Sequence, residues 1–348
     1  MIWVRFAGMR PLKLAVLAIA APAVLGSPAP AQAPTLQEPR WAYAVPPQAP
    51  PAPKWDETVV LSLPGSTRHY TMSEIHSTAT AQARGVADWF PEDHPVMPPV
   101  VQRGDASRTL RPCGLCHFPN GAGRPENSYV AGLPHDYIVQ QLKDMRDGHR
   151  KSAEPRKANA PLMIGFAKAM TDAEIEDAAR YFSAIRPRLT VKVVETDRVP
   201  IMESPGELYL PVAGDRAGTE PLGNRLIETS PDVKRTEDLR DPRGVFVAYV
   251  PKGAVARGKA VVETGAHGRA APCATCHGPD LTGVGPIPGI AGRSPSYLAR
   301  QLNDFRRGAR NGPTSPLMVA EAAHLTDTDI LEAVAYLATR PPAPAIRR

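Results

Sequence analysis

This chain of 348 residues contains only four cysteines, and they fall in two octets, CGLCHFPN at 113–120 and CATCHGPD at 273–280. Each octet sets two thiols two residues apart, with a histidine directly behind them. Three chemistries use such spacing. Zinc can take two thiolates but wants a second close Cys or His pair, and neither octet is followed by one. A dithiol redox site uses C-x-x-C, yet it has no need of the histidine or of a second copy. Covalent haem attachment needs all three side chains: the thiols add across two vinyl groups of one porphyrin, and the next residue falls beneath the iron. A disulfide within either octet would be strained and easily reduced. The candidate attachment residues are therefore Cys113, Cys116, Cys273 and Cys276, with His117 and His277 as metal ligands.

The surroundings of the octets are duplicated. Advancing by 160 carries Tyr137 to Tyr297, Gln141 to Gln301, Asp144 to Asp304 and Gly148 to Gly308; advancing by 155 lays PLMIGFAKAMTDAEIEDAARYF over PLMVAEAAHLTDTDILEAVAYL. Two homologous units of about 90 residues follow. Each predicts the same helices. In the second unit, Ser294 and Pro295 begin a helix whose apolar stripe is Tyr297, Leu298, Leu302 and Phe305, and Gly308 ends it. Thr326, with Asp329 three places on, caps a last helix bearing Ile330, Ala333, Val334 and Leu337. Thr171 and Glu174 open its counterpart. Ala254 to Thr264 predicts a helix ahead of the second octet, in which Gly258 lets Tyr336 lie close.

An iron held by one histidine has a second face, and the sixth ligand decides its chemistry. The Met of Pro-Leu-Met, Met163 or Met318, stands eight residues before the capping Thr in both units, and Met318 is the only methionine after His277. Met145 and Met170 align with Phe305 and Leu325, apolar positions that predict core packing. A thioether is soft and neutral, so it favours ferrous iron and raises the potential. With both faces taken, the iron changes oxidation state without exchanging ligands. Aromatic residues make up only 6% of the chain, so two haem c groups are expected to supply much of the core and the apo chain to fold poorly.

Outside the units the sequence says less. Arg5, Arg10 and Lys13 precede an apolar run, Leu14 to Leu25, then small residues, which reads as a signal peptide over 1–31. Its removal takes three basic groups from a chain of 41 basic and 35 acidic residues, leaving about +3, too weak a balance for nucleic-acid binding. Prolines crowd 22–53, a tether unable to bury a core. Basic clusters at Lys143–Lys157 and Arg300–Arg310 predict a solvated face, or a surface that steers an acidic partner. Strand-like runs at Thr58–Leu63, Val191–Val194 and Gly244–Val250 predict β hairpins or plain connectors, with a short helix from Thr71. The histidines outside the octets, including His76 and His94, sit in polar contexts and predict solvated side chains.

Helix, C-x-x-C-H, Pro/Gly-rich loop, Tyr-bearing helix, methionine loop and C-terminal helix together make each unit resemble a class I cytochrome c, and the whole resembles the dihaem cytochromes c of proteobacteria. The resemblance implies a mainly α chain of two tandem class I cytochrome c domains: signal peptide 1–31, Pro-rich tether and N-terminal extension 32–95, domain 1 at 96–190, a partly β-like connector 191–250, and domain 2 at 251–348. It implies that Cys113, Cys116, His117 and Met163 serve one haem, and Cys273, Cys276, His277 and Met318 the other. It further implies a periplasmic carrier of single electrons between redox partner proteins, a dehydrogenase or terminal oxidase among them, with no transmembrane span after signal cleavage and membrane-surface contact left open. Alternatives are a dihaem oxidoreductase of peroxidase-like or thiosulfate-oxidising type, or the cytochrome subunit of a dehydrogenase complex. In this family a proline carbonyl orients the ligand histidine. Pro288 fits that place, whereas Ser128 stands at the aligned position of the first unit, and Pro98 and Pro99 break up its leading helix.

Overall fold

The computed structural model describes residues 1–3, 39–47 and 56–342. The signal-peptide reading and most of the Pro-rich tether lie outside them. Among the described residues no helix is long and apolar enough to cross a membrane.

Residues 56–102 form a small layer. β1 (Leu61–Ser62) pairs antiparallel with β2 (His69–Tyr70), then α1 (Met72–His76), α2 (Thr78–Arg84) and α3 (Pro99–Gln102) follow. Thr71 and Glu74 close a capping box on α1, the helix start read from the sequence. α3 is a single turn, with proline at its first position, where the missing N–H is no loss. α4 (Cys113–His117) carries the first octet and precedes α5 (His135–Arg146), α6 (Asn159–Ala169) and α7 (Asp172–Ser183). The Thr171 hydroxyl accepts from the Glu174 amide while the Glu174 carboxylate accepts from that of Thr171, satisfying two orphan donors for about 1 kcal/mol. The buried face of α7, Ile175, Ala178, Ala179 and Phe182, then packs with Val101, Leu110, Tyr129 and Ile138. Met170 joins that core as expected.

Residues 191–250 hold antiparallel neighbours of the hairpin kind, but the two runs singled out in the sequence pair with each other instead. β3 (Val191–Glu195), β4 (Arg198–Pro200), β5 (Met202–Glu203), β6 (Leu210–Pro211), β7 (Thr219–Pro221), β8 (Ile227–Thr229) and β9 (Phe246–Val250) form small sheets; β4 pairs with β7 and β5 with β6, while β3, β9 and β8 form a three-stranded sheet in that order. The two strongest strands pair parallel, Val191 opposite Phe246 through Glu195 opposite Val250. A parallel pair needs a long crossover, and the short ribbons between the strands supply it. Its buried side holds Val250 against Ala254, Leu331 and Val334, with Val193 alongside.

α8 (Ala254–Gly268), α9 (Ala274–His277), β10 (Gly283–Val284), β11 (Ile287–Pro288), α10 (Pro295–Arg306), α11 (Pro316–Ala323) and α12 (Asp327–Thr339) complete the chain. Regular geometry in α8 ends at Thr264, because Gly265, Ala266 and His267 turn left-handed. α8 crosses α12 at Gly258, where a Cβ would lie 1.8 Å from the Glu332 carbonyl oxygen and 3.0 Å from the Tyr336 Cβ. Ser294 caps α10, and Thr326 with Asp329 closes a capping box on α12. Trp41, Ala42 and Tyr43, from near the start of the chain, are buried in the same core as α12.

Candidate functional site

Each octet places its histidine at the end of one helical turn, with the ring buried. The His117 Nδ1 lies 2.9 Å from the Ser128 carbonyl oxygen, and the His277 Nδ1 lies 2.8 Å from that of Pro288. A carbonyl only accepts, so the proton sits on Nδ1 and Nε2 keeps its lone pair. Burial pushes both imidazoles below their ordinary pKa, with the Arg150 charge adding to it at His117, and they stay neutral. The bond uses the main chain, so serine serves as well as proline. Ser128 thus does what the sequence left in doubt.

Cys113, Cys116, His117 and Met163 line one cavity of about 180 Å³. Val130, Leu133, Ile138, Leu142, Phe166 and Phe182 line it, together with Arg150, Lys157, Tyr137 and Tyr297. Burial pushes the Cys113 thiol up to about 12 and the Cys273 thiol up to about 11, so both are neutral thiols rather than ready thiolates. The four cysteines are not joined to one another. In the second segment Met318 is half-buried on α11, and the Glu321 carboxylate one turn later accepts from the Ala271 amide at 2.7 Å, tying that helix to the start of the octet. Met145 also lines the first cavity.

This donor set fits haem c. Neutral thiols, a neutral imidazole with a free nitrogen and a thioether suit a covalently held iron porphyrin, and an apolar lining that also carries cationic and hydroxyl groups suits a flat apolar body bearing acidic edges.

Lys151, Arg156 and Arg307 are exposed as expected of a solvated face, but Arg150, Lys157, Arg300 and Arg310 are drawn inside. The Arg150 guanidinium donates to the Tyr297 hydroxyl and the Gln301 carbonyl, both at 2.9 Å. Arg310 answers from the other segment, donating to Tyr137 at 3.3 Å and Gln141 at 2.6 Å. Lys151 N to Ala309 O and Asn311 N to His149 O bind the same two loops through the backbone. Arg300 reaches the Ala42 and Pro125 carbonyls, and Arg293 those of Tyr129 and Ala131. Lys157, paired with Glu207, is pushed down to about 8 by burial, and Asp304, also buried, is raised to about 6. Arg150, Arg293, Arg300, Arg310 and Asp304 weld one segment to the other, while Lys157 ties the first to residue 207. Sequence reasoning missed their role; the duplicated Tyr, Gln and Asp positions on α5 and α10 were the signal that pointed to it. His94 departs too, its side chain buried beside Asp88, whose hydrogen bond and charge outweigh burial and raise its pKa.

Folded this way, the site defines a protein built to hold haem covalently. A family model described as Cytochrome c matches residues 255–341. The chain is 41% identical over 242 residues to the thiosulfate dehydrogenase electron acceptor of Stutzerimonas stutzeri strain A1501, covering 69% of this chain and 83% of that protein. It is 25% identical over 230 residues to cytochrome c4 of Azotobacter vinelandii, covering 65% and 82% respectively. A solved thiosulfate dehydrogenase from Marichromatium purpuratum matches with a TM-score of 0.45 and 26% identity over 70% of this chain, which spans 40% of that larger chain. The chain belongs to the dihaem cytochrome c family. It carries two haem c groups and transfers electrons with redox partner proteins.

Proposed function

We propose that Cys113 and Cys116 form the thioethers to one haem and Cys273 and Cys276 those to the other, with His117 and Met163, and His277 and Met318, as the axial pairs. The observation that carries this is the matched imidazole geometry: in both segments a backbone carbonyl holds Nδ1–H, so each Nε2 is fixed as a ligand atom. Bound there, the haem supplies a one-electron iron couple. The residues of the chain do the rest. The carbonyls of Ser128 and Pro288 orient the rings, and the thioether sulfurs favour the reduced metal. The apolar walls exclude water, and the Arg150 and Arg310 crossings keep the two segments in one fixed relation.

The electron donor we propose is a dehydrogenase that oxidises thiosulfate, since the relative sharing 41% of its residues carries the description of acceptor to such an enzyme. Periplasmic location after loss of residues 1–31, and haem-bearing units at 96–190 and 251–348, belong to the same reading. Ferric and ferrous optical spectra of the matured chain test it: two low-spin haems with the weak charge-transfer absorption of an iron–sulfur bond are expected, with two haem masses added. A high-spin ferric band with rapid cyanide binding would sink the ligand assignment and favour an oxidoreductase. Stopped-flow mixing with thiosulfate dehydrogenase and thiosulfate tests the donor, and no haem reduction there would remove it.

A further inference from the structure

The two methionine-bearing helices are held at their starts in different ways. From Gly308 to Met318 is ten positions, and α11 is tied within its own segment, by Glu321 to the Ala271 amide. From Gly148 to Met163 is fifteen, so α6 begins on a longer loop. Its own sequence caps it poorly. Ala158 stands at the cap position, where a methyl group can accept nothing, and Gly165 weakens the interior of the helix.

The missing cap comes from the connector. Glu207, on the loop between β5 and β6, accepts from the Ala158 amide at 2.7 Å on one carboxylate oxygen and from the Lys157 ammonium on the other. Its negative charge thus sits at the amide end of α6, where the helix dipole favours it. The loop that bears it is itself anchored: Leu208 is buried, the Thr229 hydroxyl donates to the Tyr209 carbonyl at 2.6 Å, and the Tyr209 hydroxyl donates to the Tyr43 carbonyl at 3.2 Å. From within the segment, the Asn159 side-chain amide donates to Asn127 Oδ1 at 3.1 Å, and that of Asn127 to the Cys116 carbonyl at 3.3 Å. Lys157, Asn159 and Ala160 line the cavity along with Met163, whereas Glu207 stands outside that lining. It reaches Met163 only through the backbone of α6.

We propose that Glu207 is a positioning residue for the methionine ligand of the first segment: by holding the start of α6 it fixes where the Met163 sulfur sits, so the connector governs the ligation of one haem and not of the other. Met163 lies little more than one turn beyond Ala158, close enough for a shift at the helix start to move the sulfur. The inference rests on Met163 being an axial ligand and adds what holds it in place. Lys157 is why a carboxylate is needed there, since a buried ammonium beside the Arg300 charge requires a counter-ion. A thioether is a poor match for ferric iron, so slack in its position shows as easier displacement by an outside base.

The test titrates free imidazole into the full, haem-loaded ferric chain and follows the iron–sulfur absorption. Met163→Ala marks which of the two binding phases belongs to the first segment. An iron–sulfur absorption left whole in that variant would fail the ligand assignment and this proposal with it; every other outcome bears on Glu207 alone. In the marked phase Glu207→Ala is expected to raise the apparent imidazole association constant at least about tenfold, while the other phase changes by less than about twofold. Glu207→Gln combined with Lys157→Gln keeps an acceptor for the Ala158 amide and removes the buried charge, and should bring binding back to within about threefold of the unaltered chain. Arg225→Ala strips Glu220 and the Leu222 carbonyl elsewhere in the connector, out of reach of α6, and should leave both phases within about twofold. Glu207→Asp, one methylene short of the Ala158 amide, replaces Glu207→Ala if that variant fails to take up both haems. Unchanged imidazole binding in the Glu207 variant, an equal rise in both phases, no rescue by the paired glutamines, or the same rise from Arg225→Ala would each overturn the proposal.

Discussion

The segment around His117 and the segment around His277 hold the imidazole in the same way, yet other parts of the chain cover the first octet more fully and bring more charge to it. Residues 86–89 and 239–242 lie against the first octet, and charged residues of both segments line its cavity. The second octet lies beside exposed Val284 and Leu317. A ligand set can therefore be copied while its surroundings diverge, and the surroundings set potential, access and stability.

The harshest way to break the comparison acts on the second segment alone. Gly258→Val drives a side chain into the Glu332 backbone carbonyl, which cannot move aside. A loss of about 3 kcal/mol or more is expected, read as a lowered denaturation midpoint with the His277 haem band lost first. Met163→Ala and Met318→Ala should each lower the potential of one haem by on the order of 0.1 V, and each should remove about half of the iron–sulfur absorption. In the unaltered protein a redox titration should resolve two unequal potentials, given the different charge around the sites. A single indistinguishable pair would refute that.

Arg150→Ala and Arg310→Ala each strip the same partners, a tyrosine hydroxyl and a glutamine carbonyl, from opposite segments. Losses of roughly 1–3 kcal/mol in urea unfolding, similar for both, are expected. A cost confined to Arg150 would show that the crossing is not a balanced one. The smallest effect concerns the cover of the first octet. His76, bonded to the Asp238 carbonyl, is held down to about 4 by burial and by Arg240, against an ordinary value of 6.5. Between those values the unfolded chain binds more protons, so stability rises with pH through that window and is lost on acidification. His76→Gln should flatten that dependence by roughly 1–2 kcal/mol, measured as midpoint against pH.

Much of the local structure was legible because it depends on neighbours in sequence. The capping boxes at Thr71, Thr171 and Thr326, the start of α10 at Ser294 and the end of regular helix in α8 at Thr264 all follow from residue types within a few positions. The His277 to Pro288 bond was legible as well. What escaped depends on distant partners. Nothing near Val191 says that its strand will pair with Phe246 in parallel, and nothing near Arg300 says that its guanidinium will be satisfied by Ala42 and Pro125. A cation that looks solvated along the chain becomes a weld once another segment supplies the carbonyls.

The burial of Trp41 and Tyr43 beside Leu331 and Val334 has a consequence for how the chain reaches its final form. Residues 41–43 and 331–334 are far apart in sequence, so that core closes on a contact of long range, a slow kind of step. Scissors placed at residue 250 would then yield a C-terminal fragment with a hole where an indole and a phenol belong, and supplying a peptide spanning 39–47 in trans should mend it.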